Sequence, residues 1–117
     1  MAFSVQAKKF RFDEELRDGV AGKRALITGA GKDGSLGQAF ALSAGLNSAA
    51  SVGVHFHRSY VDGFDLVQML RDEGVNAFSV QADVTNMGDQ WATRSNIIEQ
   101  MGGLPPNLVI CNSGLTE

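Results

Sequence analysis

KRALITGAGKDGSLGQ, Lys23 to Gln38, runs from an apolar stretch (Ala25, Leu26, Ile27) through a glycine-rich turn into the start of an amphipathic segment. It reads as strand, phosphate loop, helix. Gly29, Gly31 and Gly34 satisfy the spacing G-x-G-x-x-G, and Gly37 adds a further step. One glycine is needed for the tight turn out of the strand, one for close backbone approach to a pyrophosphate, and one for close packing of helix against sheet. Ser35 stands where its hydroxyl can cap the helix, and Leu36 opens it. The free N–H groups and positive dipole end there would face an anion. A glycine-rich hairpin without a ligand is the alternative, and the strand before and helix after favour nucleotide binding.

At 117 residues the chain is expected to form one small domain behind an arm, with the arm at 1–22 and the folded unit at 23–117. A net charge of -3, with ten Lys and Arg scattered along the chain, argues against a nucleic-acid or membrane-surface role. The single cysteine, Cys111, excludes an intrachain disulfide or a cysteine zinc site and suits a reducing cytoplasm, where it would serve as a buried apolar filler. No metal site is expected. No stretch reaches transmembrane length, and the beginning of the chain lacks the apolar core of a signal peptide, so a cytoplasmic protein is expected.

The arm mixes charges with Phe3, Val5, Phe10, Phe12 and Leu16, and one helical turn is expected around Asp13 to Arg17. It is either a loose lead-in or a segment laid over an apolar surface of its own subunit or a partner. Beyond it, strands are expected at Arg24 to Thr28, Ser51 to His57, Ala77 to Gln81 and Leu108 to Cys111. Helices are expected at about Ser35 to Leu46, Val61 to Glu73 and Gly88 to Met101. Leu36, Ala39, Phe40, Ser43 and Leu46 should form the inward face of the first helix. Phe64, Val67, Met69 and Leu70 are the apolar set of the second, which stops at Gly74, and Trp91, Ile97, Ile98 and Met101 that of the third. Apolar strands alternating with helices mean a parallel sheet, and right-handed crossovers give the order 3-2-1-4: an α/β, Rossmann-like three-layer fold, truncated.

Ligands of such sheets sit beyond the carboxyl ends of the strands, where strand order reverses. The second strand runs out into His57-Arg58-Ser59. An acid at this place would accept ribose hydroxyls, whereas Arg58, with His57 and Ser59 as further donors and Lys32 in the loop, suits a 2'-phosphate. An ordinary solvated arginine is the other reading. Asp83 can accept from an adenine amino group while Val84 packs on the ring, or it can cap the turn of Asp-x-Thr. Asn112-Ser113-Gly114 lies next to the first loop, where approach to a ribose needs small residues.

Together these residues resemble the amino-terminal, cofactor-binding half of a short-chain dehydrogenase/reductase. Thr28-Gly29-Ala30 is similar to the family's loop, Ser35-Leu36-Gly37-Gln38-Ala39 to its G-I-G-x-A, Asp83-Val84 to its D-V and Cys111-Asn112-Ser113-Gly114 to its N-N-A-G. Val54 to Ser59 resembles the NADPH-dependent branch that includes pteridine reductases and β-ketoacyl carrier-protein reductases. The resemblance covers about Gly22 to Glu117. The departures are a longer loop at Gly31 to Gly34, Ser35 in place of a glycine, and Cys111 and Ser113 inside N-N-A-G.

The resemblance implies NADP(H) as cofactor and partner. It also implies that the family's catalytic serine and Tyr-x-x-x-Lys lie outside this sequence, since the only tyrosine, Tyr60, has Phe64 four residues on. No catalytic residue is therefore assigned, and the chain alone is expected to be inactive. A non-enzymatic dinucleotide-binding module or an oligomeric scaffold is the rival reading. Leu108 to Cys111 would be an apolar sheet edge, so a homodimer or higher oligomer through it is expected.

Overall fold

Ser51–Phe56 is the most enclosed element, buried at every position. A strand hidden on both faces belongs to the interior of a parallel sheet with helices above and below. In the computed structural model, which describes residues 18–31, 35–58, 60–83 and 85–112, this strand is β2. It follows β1 (Arg24–Ile27) and α1 (Leu36–Leu46), and precedes α2 (Tyr60–Asp72), β3 (Ala77–Gln81), α3 (Met87–Gln100) and β4 (Leu108–Ile110). The four strands are parallel in the order β3-β2-β1-β4, as right-handed crossovers require. Three strands stop one residue short of the expected ends, at Ile27, Phe56 and Ile110, because the chain turns into the loops at the carboxyl edge of the sheet.

The two faces are filled unequally. Ala25, Ile27, Val52, Val54, Phe56 and Ala77 point to the face covered by α1 and α2, where they meet Leu42, Leu66 and Leu70. The α3 face has a much smaller cluster of Phe78, Val80, Ile97 and Met101, with Leu26 at its margin. Val109, paired in register with Leu26, also belongs to this face and is 49% exposed.

The helices differ from their sequence reading in which side they bury. Leu36 is 63% exposed, and Ala39, Phe40 and Ser43 are only half-buried, while Gly37, Gln38, Ala41, Leu42, Ala44 and Gly45 face inward with Leu46. The small residues win that face because they let the helix backbone approach its neighbours: a Cβ on Gly45 would lie 2.8 Å from Leu70 Cδ2 of α2. In α2, Leu66, Val67, Met69 and Leu70 are buried, but Phe64 is half exposed and presents its ring edge-on to Phe56 at 5.3 Å. The helix ends at Gly74 with φ +84°, a left-handed residue that suits glycine. Trp91, one of the apolar set of α3, is 65% exposed, and only Ile97 and Met101 of that segment are buried. Cys111 is exposed, not a buried filler, because it lies just past the end of the edge strand.

Residues 18–20 are helical, Val20 is buried, and Gly22 N–H donates to Ser48 O at 2.8 Å, so the chain is tied to the sheet before β1 begins. The expected turn at Asp13 to Arg17 and the phenylalanines Phe3, Phe10 and Phe12 lie outside the described residues. Among the described residues no helix is long and apolar enough to cross a membrane.

Candidate functional site

β1 delivers the chain to Gly29, whose φ of +65° turns it sharply out of the sheet. The turn is held from three sides. Thr28 N–H donates to Ile110 O at 3.0 Å, Asn112 N–H donates to Thr28 Oγ1 at 2.9 Å, and Asn112 Nδ2 donates to Gly29 O at 3.2 Å. Behind the turn, Ala30 N–H donates to His55 O at 2.8 Å and Gly29 N–H to His55 Nδ1 at 3.1 Å.

The helix returns to the same spot. Ser35 caps α1, its hydroxyl accepting from Gln38 N–H at 3.2 Å. Gly37 packs against the turn so closely that a Cβ there would be 2.6 Å from Gly29 O, 2.7 Å from Asn112 Nδ2 and 2.8 Å from Ala30 Cα. The contact between helix and loop is thus made at Gly37. Gly31 is buried at the start of the loop. The first N–H groups of α1 have no partner within the helix, and the positive end of its dipole lies beside the turn. That is the donor arrangement a pyrophosphate needs.

Two neighbouring strand ends add the remaining groups. After β2 come His57, half-buried, and the exposed Arg58. After β3 comes Asp83, whose Oδ1 accepts from Thr85 Oγ1–H at 2.6 Å and from Thr85 N–H at 2.9 Å. These two bonds, the hydroxyl first, hold the Asp83 carboxyl below its ordinary range, with smaller contributions in the same direction from the charges of His57 and Arg58. Those charges place the basic end of β2 within electrostatic reach of the carboxylate. The β2 and β3 ends are tied together by Gln81 Nε2, which donates to His57 O at 3.3 Å.

Of the residues singled out from sequence, the fold brings Gly29, Gly31, Ser35, Leu36, Gly37 and Asn112 to one turn, and His57, Arg58 and Asp83 to the adjoining strand ends. Lys32, Gly34, Ser59, Val84, Ser113 and Gly114 lie outside the described residues. Two contributors carry no role in the sequence reading: the Thr28 hydroxyl and the side chain of His55, 4% exposed in the middle of the sheet. The signal was a polar residue interrupting the apolar run from Val52 to Phe56. A groove of about 360 Å³ opens on the α3 face below this edge, lined by Leu26, Val80, Ile97, Ile98 and Pro105 among others, with Thr28, His55 and Asp83 at its upper end.

No protein-family model matches the chain. Over 96 residues it is 32% identical to the short chain dehydrogenase mdpC of Emericella nidulans, covering 82% of this chain and 34% of that protein. The crystal structure of a short chain dehydrogenase from Burkholderia cenocepacia in complex with NADP matches it with a TM-score of 0.72 at 26% identity, over 84% of this chain and 38% of that one. The angucycline C-6 ketoreductase LanV with bound NADP matches with a TM-score of 0.65 at 27% identity, over 82% and 38% of the two chains. In fold and sequence the chain belongs to the short-chain dehydrogenases/reductases. It spans about a third of the length of the curated relatives it matches.

Proposed function

We propose that the chain is the NADP(H)-binding part of a short-chain reductase. The observation that carries this reading is the convergence, on three adjacent strand ends, of a capped helix and glycine turn for a pyrophosphate, Arg58 for a 2'-phosphate and Asp83 for the adenine. The residues fit the cofactor: Gly37 keeps the ground beside the turn clear of side chain, and both bonds from Thr85 fall on Oδ1 of Asp83, so Oδ2 serves as acceptor. Lys32 and Ser59 would add donors to the phosphates, Gly34 backbone approach, Val84 a surface for the ring, and Ser113 and Gly114 room for a ribose. NADPH bound there supplies a hydride, and the protein supplies its orientation.

The 117-residue polypeptide itself is proposed to bind without turnover, because no tyrosine–lysine pair stands in it to protonate a carbonyl oxygen, a contribution of typically ~10²- to 10⁴-fold. It is further proposed to act in the cytoplasm as a homodimer or higher oligomer through the β4 edge. A titration of NADPH against NADH tests the cofactor reading. Wild type should prefer NADPH, and Arg58→Ala should lose about 1.5–3 kcal/mol of NADPH binding with little change for NADH, the cost of a charge-assisted bond to phosphate. Equal losses for both cofactors would make Arg58 structural. Absence of binding by wild type at millimolar concentration would leave the scaffold reading, and turnover with carbonyl substrates would refute the inactive half.

A further inference from the structure

From Val52 to Phe56 every side chain of β2 other than His55 is apolar or absent: Val52, Gly53, Val54 and Phe56 surround it. A buried polar group in such a place costs free energy unless its hydrogen-bonding capacity is met. His55 meets all of its own and some of its neighbours'. Its Nδ1 accepts from Gly29 N–H at 3.1 Å, which requires the proton to be on Nε2, and Nε2 lies 2.9 Å from Ala82 O as its donor. Its backbone carbonyl takes the next N–H of the turn, that of Ala30.

One residue therefore consumes both leading N–H groups of the glycine turn and grips the residue before Asp83. Two consequences follow for a ligand at this edge. Gly29 and Ala30 turn their N–H groups inward toward β2, so the described donors left for an anion at this edge are those of the first turn of α1. And the separation between the turn and the end of β3 is spanned by a rigid five-membered ring, bonded at both sides.

We propose that His55 is a positioning residue which fixes the pyrophosphate half of the site relative to the adenine half; the proposal rests on the dinucleotide reading above. It touches no ligand. Its effect is exerted through Gly29 on one side and Ala82 on the other, and the two sides can be separated by substitution. In His55→Gln the terminal amide takes the place of Nε2, keeping the bond to Ala82 and losing that to Gly29. In His55→Asn, Oδ1 takes the place of Nδ1, keeping Gly29 and losing Ala82.

The test compares NADP⁺ with adenosine 2',5'-bisphosphate, which has the adenine and 2'-phosphate but no pyrophosphate. His55→Gln should weaken NADP⁺ by roughly 3- to 10-fold, the worth of one hydrogen bond, and leave the bisphosphate unchanged. His55→Asn should weaken both by a similar factor, so that the ratio of the two affinities moves in the glutamine variant alone. In the ligand-free protein the Gly29 amide should exchange slowly in wild type and His55→Asn and quickly in His55→Gln. Equal losses on both ligands in both variants, or Gly29 exchange indifferent to glutamine, would overturn the proposal. If wild type binds neither ligand, the dinucleotide reading falls, and amide exchange still decides whether His55 holds the turn. Should both variants fail to fold, long-range proton–nitrogen spectra of the wild-type imidazole decide it: a proton on Nδ1 at neutral pH would overturn it.

Discussion

Asp83 shows how one side chain can be read two ways, of which the fold forms one. Asp-x-Thr marks a turn as readily as it marks an adenine contact, and the turn is formed: Thr85 gives Asp83 Oδ1 both its hydroxyl and its N–H. The resulting depression of the Asp83 pKa predicts a pH response. A carboxyl whose folded value lies below its unfolded one stabilises the fold fully above the ordinary carboxylate range, and that contribution is lost as pH falls through the lowered value. The Thr85 amide resonance should report a midpoint below that of aspartate in an unstructured peptide. Thr85→Val should move it back upward part of the way, since the hydroxyl is the larger cause and the backbone bond survives. A midpoint at or above the peptide value would contradict the turn. At this same scale the positions of Gly29, Arg58 and Asn112 were legible because each follows closely on the end of a strand. His55 was not, because its partners lie 26 and 27 residues away, and no local pattern reveals a bond of that span.

At the scale of elements, strands and helices were readable to within one residue at most boundaries, since apolar runs, Gly74 and the Gly102 to Pro106 stop are all local signals. What hydropathy missed was the side on which α1 packs. It favours large apolar residues such as Leu36 and Phe40, whereas close packing of the helix selects the small ones, Gly37 against the glycine turn and Gly45 against α2, with Ala41 and Ala44 buried between them. Gly37→Ala tests that distinction. Its Cβ would press on backbone at Gly29 and Ala30, which cannot swing aside as a side-chain tip can, so the expected cost is about 1–3 kcal/mol of stability by overpacking. Because the displaced atoms belong to the glycine turn, NADPH binding should weaken alongside. Gly19→Ala is the control, with nothing within 4 Å of the added methyl. Calorimetry that finds the two variants equally stable would show that the helix does not rest on the loop.

For the molecule as a whole, the unequal filling of the two faces and the position of β4 point to the same place. Among the described residues β4 pairs with β1 only, so its outer N–H and C=O groups form an edge, and none of Leu108, Val109 and Ile110 is a lysine or proline that would discourage pairing. Leu108 and Ile110 are packed against the main core, whereas Val109 points to the thinly covered face beside the groove of Leu26, Ile97, Ile98 and Pro105. An apolar strand edge next to an apolar groove is the surface on which a second copy would be added, two-fold pairing of β4 with β4 being the simplest closed arrangement. The proposed oligomer predicts that the wild-type chain sediments as a dimer or larger at micromolar concentration. Val109→Lys puts a charge at the centre of the pairing strand and should shift the chain to monomer. Val109 is half exposed already, so the fold should tolerate the lysine, with circular dichroism unchanged. A monomeric wild type, or an oligomer that the lysine leaves intact, would remove β4 from the interface.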